Sequence, residues 1–368
     1  LLSEIDVSYN DDDRNLTVSG FAETEQLINS GSASYTRAPE LSISKNFKGM
    51  NNRNIDLSLV STKFEHKSSD NNTTGLRTHA QIKLERLIST NAYSLTPSLN
   101  LSTTDYSLDN SADQNRSIYS FEVDSKLLLE REVSIFSTDL VQTLTPRLFY
   151  SYAPKKNQSA LPSFDSTDKD GSYESLFSGR KFTGIDRISN ANNFTFGLES
   201  DFINEETSDT YLSLKTAQKF YLDDQDMNSD GILVTRRKYS DIATSIDLSL
   251  NDFTFNNSLQ YDPEANKINK RDSTMTYQPN PRKFLTLGHH DDGKTESAEF
   301  SGAYPITQKI HIFGGVNRSL TDSITNKKNT GIAYESCCWA LRVEYLKKHI
   351  DGNNYDNVTN FELVLKGL

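Results

Sequence analysis

The sequence predicts an all-β protein: a large antiparallel transmembrane β-barrel of the outer-membrane type, present here as an incomplete barrel of roughly 19 strands. Three observations carry that prediction. Apolar and polar residues alternate from residue 3 to the end of the chain. Many alternating segments reach about ten residues, the length a tilted strand needs to cross a bilayer, whereas strands of soluble proteins run nearer to five or six. The connections, finally, alternate between tight turns and long polar loops, as they do in barrels with short periplasmic turns and longer outer loops.

A period of two puts one set of side chains on each face of an extended strand. Ile5, Val7 and Tyr9 mark the first segment, 3–9, and 15–22 follows it. Leu41 and Ile43 mark 39–48, and Ile55, Leu57 and Leu59 mark 55–66. After 78–88, the residues Leu95, Leu99 and Leu101 define 93–104. Segments 117–131 and 141–152 precede 191–203, where Phe194, Phe196 and Leu198 alternate. Then come 210–221, 239–250, 253–261, 271–278, 284–290 and 296–303. Ile310 and Ile312 lie in 308–318, which leads to 329–336. Trp339, Leu341, Val343 and Tyr345 define 339–349, and Phe361, Leu363 and Leu365 define 358–367. The intervening positions hold Asp56, Glu199, Asp247, Arg342, Glu344, Glu362 and Lys366, so one face stays wet, with Arg342 and Glu344, and Glu362 and Lys366, as opposing charges on it. No helical periodicity of useful length is present.

Asn251-Asp252, Gln278-Pro279-Asn280-Pro281, Tyr304-Pro305-Ile306-Thr307 and Cys337-Cys338 are the tight connections. The long polar ones are 23–38, 67–77, 105–116, 154–190, 222–238, 319–328 and 350–357. If the short turns are periplasmic, the first and last segments both run toward the periplasm and the strand count is odd. Bacterial single-chain barrels have an even number, so at least one strand is expected before Leu1. With no initiator Met, the chain reads as a processed or truncated product, and its lack of a signal peptide is uninformative about export.

Composition agrees. Of 368 residues only 35% are hydrophobic, and mean hydropathy is -0.62. Yet aromatics reach 10%, too many for a disordered polyelectrolyte. A wall with one apolar face per strand satisfies both. The net charge of -11 argues against a nucleic-acid groove. No run of 18 apolar residues exists to form a transmembrane helix. Alternation alone leaves a soluble structural β-sandwich or solenoid open. Strand length, loop sorting and opposing charges on the polar face favour the barrel, as do Tyr150, Tyr152, Phe220, Tyr221, Trp339 and Tyr345 near strand ends, candidates for interfacial girdles.

One block is more specific. It opens with Gln142-Thr-Leu-Thr-Pro146-Arg147-Leu-Phe-Tyr150-Ser-Tyr152-Ala-Pro154 and continues through Asn157-Gln158-Ser159 and Leu161-Pro162-Ser163-Phe164-Asp165-Ser166. It closes with Leu176-Phe177, Phe182, Gly184-Ile185-Asp186-Arg187-Ile188 and Ala191-Asn192-Asn193. This block resembles the barrel domain of the LptD family of lipopolysaccharide-assembly proteins, also called organic solvent tolerance proteins. Pro39 to Phe47, Glu130-Arg131, Gln218 with Phe220-Tyr221, and Tyr334 to Val343 fall in the family's order. The resemblance covers essentially the whole chain. The family's periplasmic N-terminal domain, first barrel strands and C-terminal tail have no counterpart in it.

The resemblance implies a barrel of about 26 strands, of which residues 1–368 are roughly the C-terminal two-thirds. It implies a non-enzymatic translocon in the outer membrane of a Gram-negative bacterium, which receives lipopolysaccharide and inserts it into the outer leaflet. The lipoprotein LptE as lumen plug and LptA, docking on the N-terminal domain, are the implied partners; no cofactor is implied. A seam between first and last strands would open to lipid, with Asn360, Phe361, Glu362, Leu363, Val364, Leu365 and Lys366 on one side. A porin or TonB-dependent transporter shares the barrel physics, but needs neither the 142–193 block nor an adjacent cysteine pair at a periplasmic turn.

Cys337 and Cys338 are the only cysteines. Neighbours in one trans dipeptide do not easily bridge each other. Buried free thiols are one reading, but passage through an oxidising compartment favours pairing. The resemblance implies disulfides to cysteines of the N-terminal domain. His289-His290-Asp291-Asp292 suggests a metal, but adjacent His on a strand point to opposite faces, so a solvated strand end is the reading and no metal is assigned. Asp186-Arg187 and Arg147 lack the partners of an acid–base or nucleophilic site and read as a structural ion-pair network. Segment 154–190 interleaves Leu161, Phe164, Tyr173, Leu176, Phe177, Phe182 and Ile185 with polar residues and is expected to fold into the lumen, where the family-motif residues Pro146, Arg147, Pro154, Gln158, Pro162, Phe164, Asp165, Gly184, Asp186 and Arg187 gather.

Overall fold

The computed structural model describes residues 2–25, 34–67, 73–135, 138–352 and 354–365. Nearly all of it is antiparallel sheet. The first part of the wall is β1 (Leu2–Asp11), β2 (Leu16–Glu25), β3 (Tyr35–Gly49), β4 (Arg53–His66), β5 (Gly75–Arg86), β6 (Ile88–Ser89) and β7 (Tyr93–Leu108). It continues through β8 (Gln114–Leu127), β9 (Leu129–Ile135) and β10 (Thr138–Ala153). A single-turn helix α1 (Tyr173–Leu176) interrupts the loop before β11 (Ala191–Asn204) and β12 (Thr210–Tyr221). A small hairpin, β13 (Gln225–Met227) with β14 (Leu233–Thr235), stands apart from the wall. The remaining strands are β15 (Ile242–Leu250), β16 (Phe253–Asp262), β17 (Lys267–Asn280), β18 (Lys283–Asp291), β19 (Glu296–Pro305), β20 (Ile310–Ser319), β21 (Thr325–Glu335), β22 (Trp339–Asp351) and β23 (Asn354–Leu365).

Each wall strand pairs with its sequence neighbours, giving a 21-stranded sheet. Two of its crossings are interrupted: β5 and β6 both pair with β7, and β8 and β9 both pair with β10. Counting each interrupted pair once turns 21 into 19 wall crossings, the number expected from alternation. Both interruptions lie opposite a proline. Arg86-Leu87 faces Pro97, between the Glu85–Ser98 and Ile88–Leu95 partners. Leu127, just before the break at Leu128, faces Pro146 in the register set by the Leu144–Leu129 and Arg147–Lys126 partners. A proline has no N–H to give the ladder, so the partner strand breaks there. The wall is open, with β1 paired only to β2 and β23 only to β22 among the described residues.

One face of the wall is a continuous apolar surface. Leu57, Ile82, Leu101 and Tyr119 are successive cross-strand partners and all exposed. Ile312, Ile332, Val343 and Phe361 make a second row of partners, exposed except for the half-buried Val343. An apolar exposure this extensive belongs against a membrane. Among the described residues no helix is long and apolar enough to cross one. The opposite face carries the polar set, including Asp56, Ser58, Arg342, Glu344 and Glu362.

Several expectations need correction. Segments 105–116, 319–328 and 350–357 are not long loops: β7 ends at Leu108 and β8 starts at Gln114, β20 ends at Ser319 and β21 starts at Thr325, while β22 ends at Asp351 and β23 starts at Asn354. Polar residues stay in a ladder because backbone pairing does not depend on side-chain polarity, so strands such as β7 and β10 reach 16 residues. Arg342 lies over the Phe313 ring at 4.1 Å, and Glu344 takes a 2.7 Å hydrogen bond from Asn329, so the two do not form the expected pair. Lys366 lies outside the described residues. Tyr221 is on the polar face beneath Arg236, 4.1 Å from its guanidinium, and is no girdle residue.

Candidate functional site

The polar face is bare along part of the wall and covered between β3 and β17, where the 154–190 loop reaches from Tyr35, against Phe164, to Gln260 and Lys270, which both donate to the Asp170 carbonyl. The sequence places single large cations or aromatics at inward positions of four adjacent strands, and register aligns them. Arg77 on β5 is the partner of Tyr106 on β7, and Thr104 that of Arg116 on β8. Phe64 on β4 completes the floor. All are buried: Arg77 is 2% exposed and Arg116 1%.

The loop answers them with Asp165 and Asp186. Arg77 Nη1 lies 2.8 Å from Asp186 Oδ1 and 2.7 Å from Asp165 Oδ2. The Tyr106 hydroxyl donates to Asp186 Oδ1 at 3.0 Å, and the backbone N–H groups of Phe164 and Asp165 donate to Oδ2 at 2.6 and 3.0 Å. Burial and the adjacent Asp165 charge raise the Asp186 carboxyl above the ordinary range. Burial acts the same way on Asp165, but Arg77 and the Ile185 N–H outweigh it and hold that carboxyl below the ordinary range.

Arg116 is held by neutral oxygens. Its Nη1 donates to Gln158 Oε1 and the Asp186 carbonyl, both at 2.7 Å, and its Nη2 to the Ile185 carbonyl at 2.7 Å and Thr104 Oγ1 at 3.0 Å. Gln158 closes the loop on itself, donating to the Ile188 carbonyl at 2.7 Å. Arg187 points away from Asp186's partners and donates to the carbonyls of Leu161, Pro162 and Ser229 at 2.9–3.0 Å, tying the loop to the β13–β14 hairpin. Phe164 stacks on Phe64 with centroids 4.3 Å apart. Gly184 has φ +62°, and a Cβ there would run into the Asp165 carbonyl.

A second contact patch lies over β10–β15. Arg147 makes a bidentate pair with Asp124, at 2.9 and 2.7 Å, and carries the Phe177 ring 4.0 Å from its guanidinium. Tyr173, Leu176 and Phe177 pack with Phe149, Ala217 and Ala243 into a buried apolar cluster. Thr195 donates to the Leu176 carbonyl at 2.8 Å.

Of the residues singled out in the sequence, the structure brings together Gln158, Pro162, Phe164, Asp165, Gly184, Asp186 and Arg187, while Arg147 stands apart in the second patch with Asp124 and Phe177. Pro146 lies in β10 opposite Leu127, next to the strand break, and Pro154 directly follows the end of that strand. Asn360 to Leu365 form the exposed C-terminal half of β23, beside the Cys337-Cys338 turn and far along the chain from the loop, with Phe361 73% and Leu363 63% exposed. Cys337 and Cys338 are exposed free thiols in the turn between β21 and β22, their sulfurs 2.9 Å apart. His289 and His290 engage different carboxylates, Glu296 and Asp272, each at 2.9 Å. Sequence reasoning missed Arg77, Tyr106, Arg116 and Phe64. A lone Arg at a polar strand position looks solvated until register shows its neighbours.

Comparison with known proteins gives the family. The model for LPS transport system D, LptD, matches residues 1–357. The LPS-assembly protein LptD of Ralstonia nicotianae is 28% identical over 355 residues, 91% of this chain and 44% of that protein. That of Burkholderia pseudomallei is 31% identical over 271 residues, 68% of this chain and 34% of that protein. The chain therefore spans less than half the length of the curated relatives it matches. Among solved structures, the siderophore receptor PirA from Pseudomonas aeruginosa aligns at a TM-score of 0.44 and 9% identity, over 98% of this chain and 68% of that one. With its amphipathic antiparallel wall and a family match running over residues 1–357, the chain belongs to the LptD family.

Proposed function

We propose that this chain is part of the wall of a lipopolysaccharide translocon in the outer membrane of a Gram-negative bacterium. The observation that carries the reading is the family match over residues 1–357, laid on a wall whose apolar face suits lipid and whose polar face is wet. The polar face is the lumen and conducts the hydrated saccharide, while the acyl chains leave sideways into the bilayer. The 154–190 loop occupies that lumen and narrows it. The C-terminal half of β23 and the residue after it, Asn360 to Lys366, form one side of a lateral seam, although the structure of Lys366 itself lies outside the described residues. Cys337 and Cys338 pair with cysteines of a periplasmic domain. A lipoprotein plug of the LptE type and a bridge protein of the LptA type assemble with the full-length protein. The protein moves its substrate without making or breaking covalent bonds in it.

Depleting the full-length protein in its own cells tests the reading. Antibody binding to lipopolysaccharide on intact cells falls while the total cellular amount does not. Unchanged surface lipopolysaccharide with reduced uptake of small solutes would mark a porin instead.

A further inference from the structure

A cavity of about 370 Å³ opens where the 154–190 loop, the ends of β11 and β12, and the loop bearing β13–β14 meet. Its volume is that of a small-molecule site, within the range of about 300–1,000 Å³. In a chain of net charge -11, its lining is cationic: Lys169, Arg180, Lys181, Lys219, Arg236 and Arg237, against Asp168, Asp226 and Asp241.

The carboxylates are already engaged. Asp226 is 2.9 Å from Lys181, which also stands 3.9 Å from Asp168, and Asp241 is 2.7 Å from Arg237. Four cations are left short of partners. Lys169 and Lys219 converge on Ser178, donating to its Oγ at 2.7 Å and its carbonyl at 2.9 Å. Arg180 donates to the Gly184 carbonyl, and its Nε has no partner. Arg236 Nε donates to the Asp223 carbonyl at 3.1 Å, its Nη1 reaches Asp226 only at 3.6 Å, and its Nη2 has no partner. Asp165 and Glu122 bear on Arg180 electrostatically, and Glu122 and Asp170 on Lys169, but none of these carboxylates forms an ion pair with either cation among the described residues. Lys219 and the Arg236 side chain are each only 9% exposed. Burial lowers both Lys169 and Arg180, and for Lys169 the neighbouring Arg180 adds to the effect. Cations buried with idle donors and spent counter-ions are costly unless an anion joins them. Beside them, the buried Asn190 Oδ1 also lacks a partner and lines the same cavity, an acceptor suited to a sugar hydroxyl.

We propose that this cavity binds a phosphate-class oxyanion carried on a saccharide, with Lys169, Arg180, Lys219 and Arg236 on the oxyanion and Asn190 on the sugar. A phosphate brings between one and two negative charges and several acceptor oxygens, and an Arg fork matches them. The proposal rests on the transport reading only for the source of the ligand, a phosphorylated sugar of the lipopolysaccharide in transit.

Calorimetric titration of the full-length protein in detergent micelles tests it, with glucose 6-phosphate, glucose and inorganic phosphate as probes. Glucose 6-phosphate binds saturably and weakens with salt; glucose does not bind, and inorganic phosphate binds more weakly. Arg236→Gln and Lys219→Met each reduce affinity at least tenfold, and Lys169→Gln, at a half-buried loop position, gives the same direction should Lys219→Met fail to assemble. Absence of glucose 6-phosphate binding, or binding unchanged in all three variants, overturns the proposal. Inorganic phosphate bound as tightly as the sugar phosphate overturns its saccharide half. The transport reading is decided separately by surface lipopolysaccharide on depletion, so either can fall alone.

Discussion

Asp186 concentrates the loop's attachment in one carboxylate. It is fully buried, and it accepts from a guanidinium, a phenol and two backbone N–H groups. Its chief partner, Arg77, has Asp165 as a second carboxylate, whereas Arg116 is held by neutral oxygens and forms no ion pair among the described residues. Losing Asp186 therefore strands several buried donors at once. Removing one partner of a buried pair costs about 3–5 kcal/mol, and the cost falls on the loop, since β5, β7 and β8 keep their ladders. Asp186→Ala is expected to leave the wall assembled and release the loop. Protease added outside membrane-assembled protein should cut the variant within 160–182 and spare the wild type under the same conditions. Equal resistance of the two would mean that the aromatic stack of Phe164 on Phe64 holds the loop without the carboxylate.

At the scale of elements, what was legible followed from geometry that depends only on period. Nineteen crossings could be read because each strand alternates whatever its partners are. The ends were read too short wherever polar residues continue the ladder, as in β21 and β22. The strand breaks at Leu87 and Leu128 were also legible in principle, but only once register sets Pro97 and Pro146 against Arg86 and Leu127, the residues just before them. The loop's aromatics announced that it folds onto something. Its receptors did not announce themselves, because Arg77, Tyr106 and Arg116 are ordinary polar-face residues until three strands are aligned. The two faces themselves make a sharp prediction on β4. Leu57 and Ser58 are adjacent, on opposite faces, midway along a 14-residue strand. Arginine at a mid-bilayer lipid-facing site costs about 2–4 kcal/mol, and much less on the lumen side. Reversible unfolding in lipid vesicles should show that loss for Leu57→Arg and little for Ser58→Arg; equal losses would reject the assignment of faces.

Over the whole molecule, the wall has an apolar outer surface, a polar inner one, and its heaviest decoration at one end. The 154–190 loop, the β13–β14 hairpin and the cavity between them all belong to the end where β10 meets β11 and β12 meets β15. The Cys337-Cys338 turn lies at the other end, between β21 and β22, exposed and therefore open to a partner. Adjacent thiols at a turn tip point to pairing with something outside the wall rather than with each other. In the full-length protein we expect both to form disulfides with an upstream periplasmic domain. Bridges across such long stretches of chain restrict the unfolded state by up to about 4–5 kcal/mol in the entropy model, for loops of ~100 residues or more. They would also hold the delivering domain beneath β22 and β23, so that substrate enters only a correctly assembled wall. Non-reducing gels of the full-length protein, wild type beside the double Cys337→Ser, Cys338→Ser variant, should show a compact band that reduction or the substitution slows. Surface lipopolysaccharide should fall in the variant as well. Migration indifferent to reductant, together with normal surface lipopolysaccharide in the variant, would leave the turn as no more than two exposed thiols.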